Sequence, residues 1–328
     1  MQCYTPLKAQ RCRSADGLYY ISFKDFNPES IQDLKLPCGR CMGCRLERSR
    51  QWATRCMHEA QLHNQNTFIT LTFNEEKINN NYTLVKSDFQ NFIKRLRKLY
   101  YSPKFQAQYP NFHKGKIRYF HCGEYGDDFS RPHHHACLFN CDFPDKKLHK
   151  KNKDGDNLYT SEILQSLWQD NGYAYIGNVT FESAAYVARY CTKKITGKKA
   201  DEYYSGRTPE YMTCSKNPAI GKQWLEQYLS DVFPSDEIIM RGKKMRVNRY
   251  YEKYLEKTDP EMLYQVKATR EEEDYKDDAD RRIREYEVQQ LRQKTISRSF
   301  EQQSTYSLDT YDKDSLEYLK RLKHRSTP

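Results

Sequence analysis

Nothing in this 328-residue chain resembles the unbroken apolar run of about 18 residues that a membrane-spanning helix needs. Only 37% of its residues are hydrophobic and its mean hydropathy is −1.02, so a membrane span is excluded. The first residues, Met1-Gln2-Cys3-Tyr4-Thr5-Pro6, lack the basic start and apolar core of a secretory signal, and none is expected. No Gly-x-x-x-x-Gly-Lys-Ser/Thr occurs either: Gly221-Lys222 lacks the upstream glycine and the following hydroxyl, which excludes a phosphate-cradling ATPase loop. No internal repeat is visible. What the chain does have is aromatic and basic character. Tyrosine occurs 27 times and phenylalanine 15, which argues against a disordered chain. Lys and Arg number 55 against 44 Asp and Glu, a net charge of +11. Residues 1–200 carry 31 basic and 19 acidic side chains, a net of +12, and residues 201–328 carry 24 and 25, a net of −1. The excess therefore sits in the first part of the chain, where it favours a phosphate-rich partner over a merely soluble surface.

Eleven cysteines are an odd number, and without an export signal they point to a reducing compartment rather than to a disulfide framework. Three of them form Pro37-Cys38-Gly39-Arg40-Cys41-Met42-Gly43-Cys44, in which the glycines let the loop curl several sulfurs around one centre. Thiolates at this spacing suit a structural zinc, or failing that an iron–sulfur cluster, rather than an idle thiol cluster. The fourth ligand is expected from Cys3 first, Cys12 second and Cys56 third.

The element pattern is mixed. Arg45 to His63 reads as a basic amphipathic helix carrying Arg45, Arg48, Arg50 and Arg55. Thr67 to Phe73, with threonines alternating against apolar residues, reads as a strand buried on one face. Ser87 is the expected cap of a helix running to Tyr101. Lys116–Glu124 and His133–Phe139 read as an antiparallel hairpin across the Tyr125–Pro132 loop. Residues 142–160 are expected as a Lys/Asp/Asn-rich loop. A helix near Ser161–Asp170, a strand over Tyr173–Val179 and a helix from about Glu182 to Thr196 follow. This order lacks regular βαβ alternation and fits an α+β domain on an antiparallel sheet. Further on, Asp259 and Pro260 mark a helix start, and the charged segment to Arg298 reads as one or two exposed helices.

Two motifs carry chemistry. In His133-His134-His135, strand alternation puts His133 and His135 on one face and His134 on the other with Ala136 and Leu138. Glu124, just before the hairpin loop, supplies a carboxylate to the two imidazoles; His121 competes as third ligand from the opposite parity. Nitrogen and oxygen ligands together suit Mg²⁺ or Mn²⁺ acting on phosphates. Downstream, helical spacing puts Ala184, Ala188, Cys191 and Ile195 on a stripe that can press against a sheet. Tyr186, Tyr190 and Lys193 fall on nearly the opposite stripe. Taken alone these are ordinary surface tyrosines. Beside a metal-bound phosphodiester, however, a phenol can attack phosphorus, with Lys193 or Lys194 lowering its pKa or steadying the charged transition state. The product is a covalent 5′-phosphotyrosine and a free 3′-hydroxyl, and the link is reversible.

The strand Phe68–Phe73, the Pro132-His133-His134-His135 strand behind Gly123-Glu124-Tyr125-Gly126, and Tyr186-Val187-Ala188-Arg189-Tyr190-Cys191-Thr192-Lys193-Lys194 resemble the three ordered motifs of HUH rolling-circle replication initiators. With the cysteine loop, the set is most similar to the initiators of gokushovirus-like microviruses, small single-stranded DNA phages, over residues 3–197. His134 departs from the bulky hydrophobic residue of the family pattern. The resemblance implies an HUH endonuclease fold: an antiparallel sheet of four or five strands flanked by helices. Residues 1–66 would form a zinc loop with a basic helix, 67–200 the endonuclease core, and 201–328 a charged helical region. It implies a metal on His133, His135 and Glu124; a structural zinc on Cys38, Cys41, Cys44 and Cys3; nucleophiles Tyr190 and Tyr186, with Tyr190 the favoured first attacker; and assistance from Lys193 and Lys194. Arg45, Arg48, Arg50, Arg131 and Arg189 are the candidate DNA contacts. The implied act is to nick an origin, stay on the 5′ end and later rejoin strands. It would take place in the cytoplasm of an infected bacterium, on single-stranded and origin DNA, with a host helicase and polymerase. A zinc-dependent DNA-binding protein without catalysis, and a metal nuclease using water, are the rival readings.

Overall fold

The computed structural model describes residues 3–24, 27–78, 82–110, 112, 115–126, 130–151, 155–193 and 199–276, without the side chains of 190–193, 199 and 271–276. Lys194 lies outside the described residues, as does everything past residue 276.

The chain opens with three strands, β1 (Leu7–Arg13), β2 (Tyr19–Ser22) and β3 (Ser30–Leu36), paired in the order β2-β1-β3 as a small antiparallel sheet. The cysteine loop then leads into helix α1 (Met42–Gln61), which matches the expected basic helix. Strand β4 (Asn66–Thr72) follows the threonine alternation: Thr67, Ile69 and Leu71 are buried and the residues between them half-buried. Helix α2 (Lys86–Tyr100) buries Phe89, Phe92, Ile93, Leu96 and Tyr100 on one stripe. Its cap differs from expectation. Val85 occupies the N-cap with no side-chain bond, and Ser87 already lies within the helix. A short α3 (Pro103–Gln108) precedes β5 (Arg118–Tyr125) and β6 (Pro132–Phe139), which form the expected hairpin.

Residues 142–160 depart from the loop reading, because β7 (Lys147–Lys151) and β8 (Asn157–Thr160) pair there as a hairpin. β7 is exposed along its whole length, so it has no apolar alternation to betray it, and its lysines suit a sheet edge. Then come α4 (Glu162–Leu167), β9 (Ala174–Gly177) and α5 (Phe181–Lys193). Ser161 caps α4 by accepting a hydrogen bond from the Leu164 N–H at 3.0 Å. After α6 (Lys199–Tyr204), β10 (Tyr211–Cys214) returns to pair with β5. Helices α7 (Lys222–Gln227) and α8 (Leu229–Val232), the hairpin of β11 (Glu237–Met240) and β12 (Lys243–Arg246), α9 (Arg249–Thr258) and α10 (Pro260–Lys276) complete the description. Residues 201–254 thus add strands as well as helices. Asp259 caps α10, its Oδ1 accepting from Met262 N at 2.9 Å.

The central sheet has seven strands in the order β10-β5-β6-β4-β9-β8-β7, all antiparallel, rather than four or five. Helices cover both faces. On one face Ile69, Leu71, Ala136, Leu138 and Ile176 pack with Phe89, Phe92, Leu96, Leu164 and Trp168 of the α2 and α4 side. On the other, Phe120, Cys122, Cys137 and Phe139 pack with Ala53 and Cys56 of α1 and Ala184, Val187 and Ala188 of α5. α1 and α5 are tied directly, Ser49 Oγ donating to the Ala185 carbonyl at 2.8 Å. A buried ion pair fastens α1 to β5. Glu59 receives Arg118 Nε, and it also accepts the Gly221 N–H at 2.8 Å.

The chain divides into two compact units, Met1–Tyr254 and Leu255–Pro328. Among the described residues no helix is long and apolar enough to cross a membrane.

Candidate functional site

The pairing of β5 with β6 puts Glu124 directly opposite His133, and Cys122 opposite His135. Because side chains alternate, Glu124, His133 and His135 all project to the α5 face. The two imidazoles converge on one oxygen, with Glu124 Oε1 at 3.0 Å from His133 Nε2 and 2.9 Å from His135 Nε2. Gly126 keeps this corner open, since a Cβ there would lie 2.9 Å from His133 Cε1. Glu124 is 1% exposed and its Oε2 is buried with no hydrogen-bond donor among the described residues. Burial pushes the Glu124 carboxyl up, but hydrogen bonds from His133 and His135 outweigh it and hold the pKa below the ordinary value. Burial lowers the His135 pKa despite that carboxylate. Two neutral imidazole nitrogens and one ionised carboxylate, all within 4.8 Å of one another, form a donor set fit for a divalent cation.

Neighbours fix the ligands. Thr70 lies opposite His135 across β4 and β6, with Oγ1 at 2.9 Å from Nδ1, which leaves Nε2 for the cluster. Phe68 stacks on the same ring at 5.7 Å. The threonine alternation is visible in the sequence, but only the strand order brings Thr70 beside His135. His121 and His134 behave differently. Both project to the α2 face, His121 Nε2 lying 3.1 Å from His134 Nδ1, and Phe89 stacks on His121 at 3.5 Å. Burial, reinforced by the nearby His133 and His135, lowers the His134 pKa to about 3. The bulky hydrophobic residue of the HUH pattern is thus replaced by a neutral imidazole inside an aromatic cage.

Tyr186 reaches the cluster from α5. Its hydroxyl donates to Glu124 Oε1 at 3.4 Å and its ring meets His135 edge-on at 5.1 Å. This differs from the expectation of a tyrosine stripe turned away from the sheet. Ala184, Ala185, Val187 and Ala188 are all buried, so α5 is enclosed over a wide arc between the sheet and α1, and Tyr186 lies at its margin. Tyr190 and Lys193 belong to the last turn of α5, but their side chains are outside the described part. Arg189 is exposed on the same helix. Among the other candidate DNA contacts, Arg45, Arg48 and Arg50 lie on α1. Arg50 is held by Glu47, its Nε donating at 2.9 Å. Arg131 pairs with Glu75 and donates to the Phe73 carbonyl at 3.2 Å. Both cations must exchange a carboxylate for a phosphate to act on DNA.

A second cluster gathers Cys3, Cys38, Cys41 and Cys44, with all sulfurs within 4.8 Å of one another. Cys3 is thereby selected over Cys12, buried in β1, and Cys56, buried in α1. The Thr5 hydroxyl and then the N–H groups of Cys41 and Arg40 lower the Cys38 pKa to about 5. Backbone N–H groups of Cys44 and Tyr4 lower that of Cys41. Burial pushes Cys44 up to about 12. Thiolates cradled by N–H groups in four-sulfur geometry suit a tetrahedral metal. A cavity of about 690 Å³ lined by His63, Gln65, Lys116, Arg118 and Asn140 opens at the opposite ends of β4, β5 and β6, away from both clusters.

Residues 66–195, from β4 through α5, match the family model for replication-associated protein ORF2. The chain is 36% identical over 272 residues to replication-associated protein VP4 of Bdellovibrio phage phiMH2K, an alignment covering 82% of each protein. The chain belongs to this family of replication-associated proteins. It is also 29% identical over 280 residues to replication-associated protein ORF2 of Spiroplasma virus 4, covering 80% of the chain and 83% of the relative. A third relative, replication-associated protein ORF4 of Chlamydia phage 1, is 30% identical over 228 residues, 68% of the chain and 54% of the relative. No solved structure matches. The segment matched by the family model contains Glu124, His133, His135, Tyr186 and Tyr190.

Proposed function

We propose that this replication-associated protein is an HUH-type endonuclease that nicks a phage replication origin through a tyrosine and later rejoins the strand. The observation that carries the reading is the convergence of His133, His135 and the Tyr186 hydroxyl on the single oxygen Glu124 Oε1. A phenol within hydrogen-bond reach of a three-donor metal set is what attack on a metal-bound phosphodiester requires.

Glu124, His133 and His135 would hold the divalent ion, for which Mg²⁺ or Mn²⁺ suit the mixed nitrogen and oxygen donors. When bound, the ion neutralises charge on a non-bridging oxygen of the scissile phosphate. The tyrosine loses its phenolic proton and its oxygen forms a bond to phosphorus. The P–O bond to the 3′ oxygen breaks, and that oxygen leaves as a 3′-hydroxyl after taking up a proton. Glu124 is placed to accept the proton of Tyr186, while Lys193 and Lys194 are the candidates to steady charge on a phenolate. Because one phosphodiester replaces another, the reverse reaction reseals a strand without a nucleotide cofactor. Two tyrosines let one hold the first end while the other attacks a new junction. The cysteine cluster is assigned a structural zinc. Host cytoplasm, helicase and polymerase complete the proposed setting.

The test is incubation with an origin single strand and Mn²⁺, followed by denaturing electrophoresis. Wild type should give a denaturation-resistant protein–DNA species that is lost in Tyr186→Phe/Tyr190→Phe and in His133→Ala. Cleavage by the double tyrosine variant with free 5′-phosphates would assign the attack to water; no cleavage by any form would leave only a DNA-binding role.

A further inference from the structure

The small sheet β2-β1-β3 has two chemically different faces. Arg13 pairs with Tyr19 and Arg11 with Ile21 across β1 and β2, and Arg11 pairs with Gln32 and Leu7 with Leu36 across β1 and β3. Directly opposed residues share a face, so these side chains form one surface. Tyr19 is 57% exposed, Ile21 44% and Leu7 47%. The Arg11 guanidinium lies 4.8 Å from the centre of the Tyr19 ring and that of Arg13 5.6 Å from it. The opposite face carries the pairs Lys8 with Lys35 and Gln10 with Asp33. It also carries Tyr20, bonded to Glu29. The acidic residues of this sheet therefore collect on the second face, and no position paired on the first is acidic.

Aromatic and aliphatic groups are left in water here beside two cations. A duplex offers phosphates to the cations but nothing to the apolar groups, whereas unpaired bases stack on phenol and guanidinium planes while the flanking phosphates meet the charges. A second copy is a poor occupant, because a two-fold contact through this face would set Arg11 and Arg13 against their own counterparts without a carboxylate. We propose that the face formed by Arg11, Arg13, Tyr19 and Ile21 is a binding surface for single-stranded nucleic acid, additional to the metal and tyrosine site. It rests on the proposed function only in taking a DNA single strand as the substrate.

Fluorescence anisotropy of the full chain with labelled oligothymidylate of twenty nucleotides tests this. Arg11→Ser/Arg13→Ser/Tyr19→Ser is compared with Lys8→Ser/Lys35→Ser, which removes the same number of charges from the opposite face. The first variant should weaken binding about tenfold or more, the size of one lost base stack with its charges, and the second by no more than about threefold. Tyr19→Phe should keep the affinity and Tyr19→Ser alone should lower it, so the comparison survives if the triple variant misfolds. Equal losses from both faces, or none from the first, would overturn the proposal. So would a triple variant that keeps its DNA affinity but changes from dimer to monomer in sedimentation. Adduct formation on a short origin oligonucleotide is read in parallel. Its absence in wild type would defeat the nicking mechanism and leave the affinity comparison standing.

Discussion

At the scale of single residues, the candidate site depends on side chains that orient others. Thr70 fixes His135 through a 2.9 Å contact to Nδ1. Replacing a partner of this kind costs about ten- to a hundredfold in metal affinity, so Thr70→Val should weaken Mn²⁺ binding by that factor in a calorimetric titration while the fold is kept. Unchanged affinity would remove Thr70 from the site. Glu59 has a structural task. Burial pushes its carboxyl up, yet hydrogen bonds from His63, the Gly221 N–H and Arg118 outweigh this and leave it below the ordinary value. A depressed folded pKa contributes stability that is present above the unfolded value of about 4.3 and is lost as the pH falls through the folded one. Glu59→Gln should therefore flatten the acid side of the stability profile, and by stranding the buried Arg118 it should cost about 3–5 kcal/mol at neutral pH in a denaturant titration. A loss below about 1 kcal/mol would contradict the account. The sequence exposes His133, His135 and Glu124 because strand parity alone puts them on one face. Thr70 and Glu59 stay hidden in it, since their partners are set by strand order and by the seating of α1 on the sheet.

At the scale of elements, legibility follows apolar pattern. α1, α2, β4, β5, β6 and α5 are visible in the sequence because each buries a periodic stripe against the sheet. The β7–β8 hairpin is not, because β7 is exposed throughout and gains its place from backbone pairing alone. Nor is β10, whose four residues are all half-buried. Periodicity gives α5 a single buried stripe, and its enclosure between sheet and α1 follows only from the position of α1. The cysteine loop is the element whose spacing speaks most directly. Its three clustered sulfurs are joined by Cys3, 35 residues away from Cys38 in the chain yet accepting the Cys38 N–H at 3.3 Å. Cys38→Ser should lower bound zinc and melting temperature together, read by elemental analysis and calorimetry, whereas Cys12→Ser should keep the metal. Equal zinc in both variants would refute the structural-site assignment.

At the scale of the whole molecule, the net charge of +11 is an average over unlike regions. The +12 of residues 1–200 coincides with the cysteine cluster, the histidine strand and α5, so the field that gathers a polyanion surrounds the groups proposed to cut it. Some of those cations, Arg50 and Arg131 among them, are already paired with carboxylates, which makes total charge a poor guide to the phosphate path. The central claim is that a phenol on α5 becomes covalently joined to DNA, and one property of the sequence makes it directly measurable. Arg189 stands between Tyr186 and Tyr190, and Lys193 follows, so trypsin separates the two phenols into different peptides. Mass spectrometry of nuclease-trimmed, trypsin-digested adduct formed with Mn²⁺ should find a nucleotide 5′-phosphate on the peptide ending at Arg189 or on Tyr190–Lys193. A nicked substrate with neither peptide modified would contradict the account.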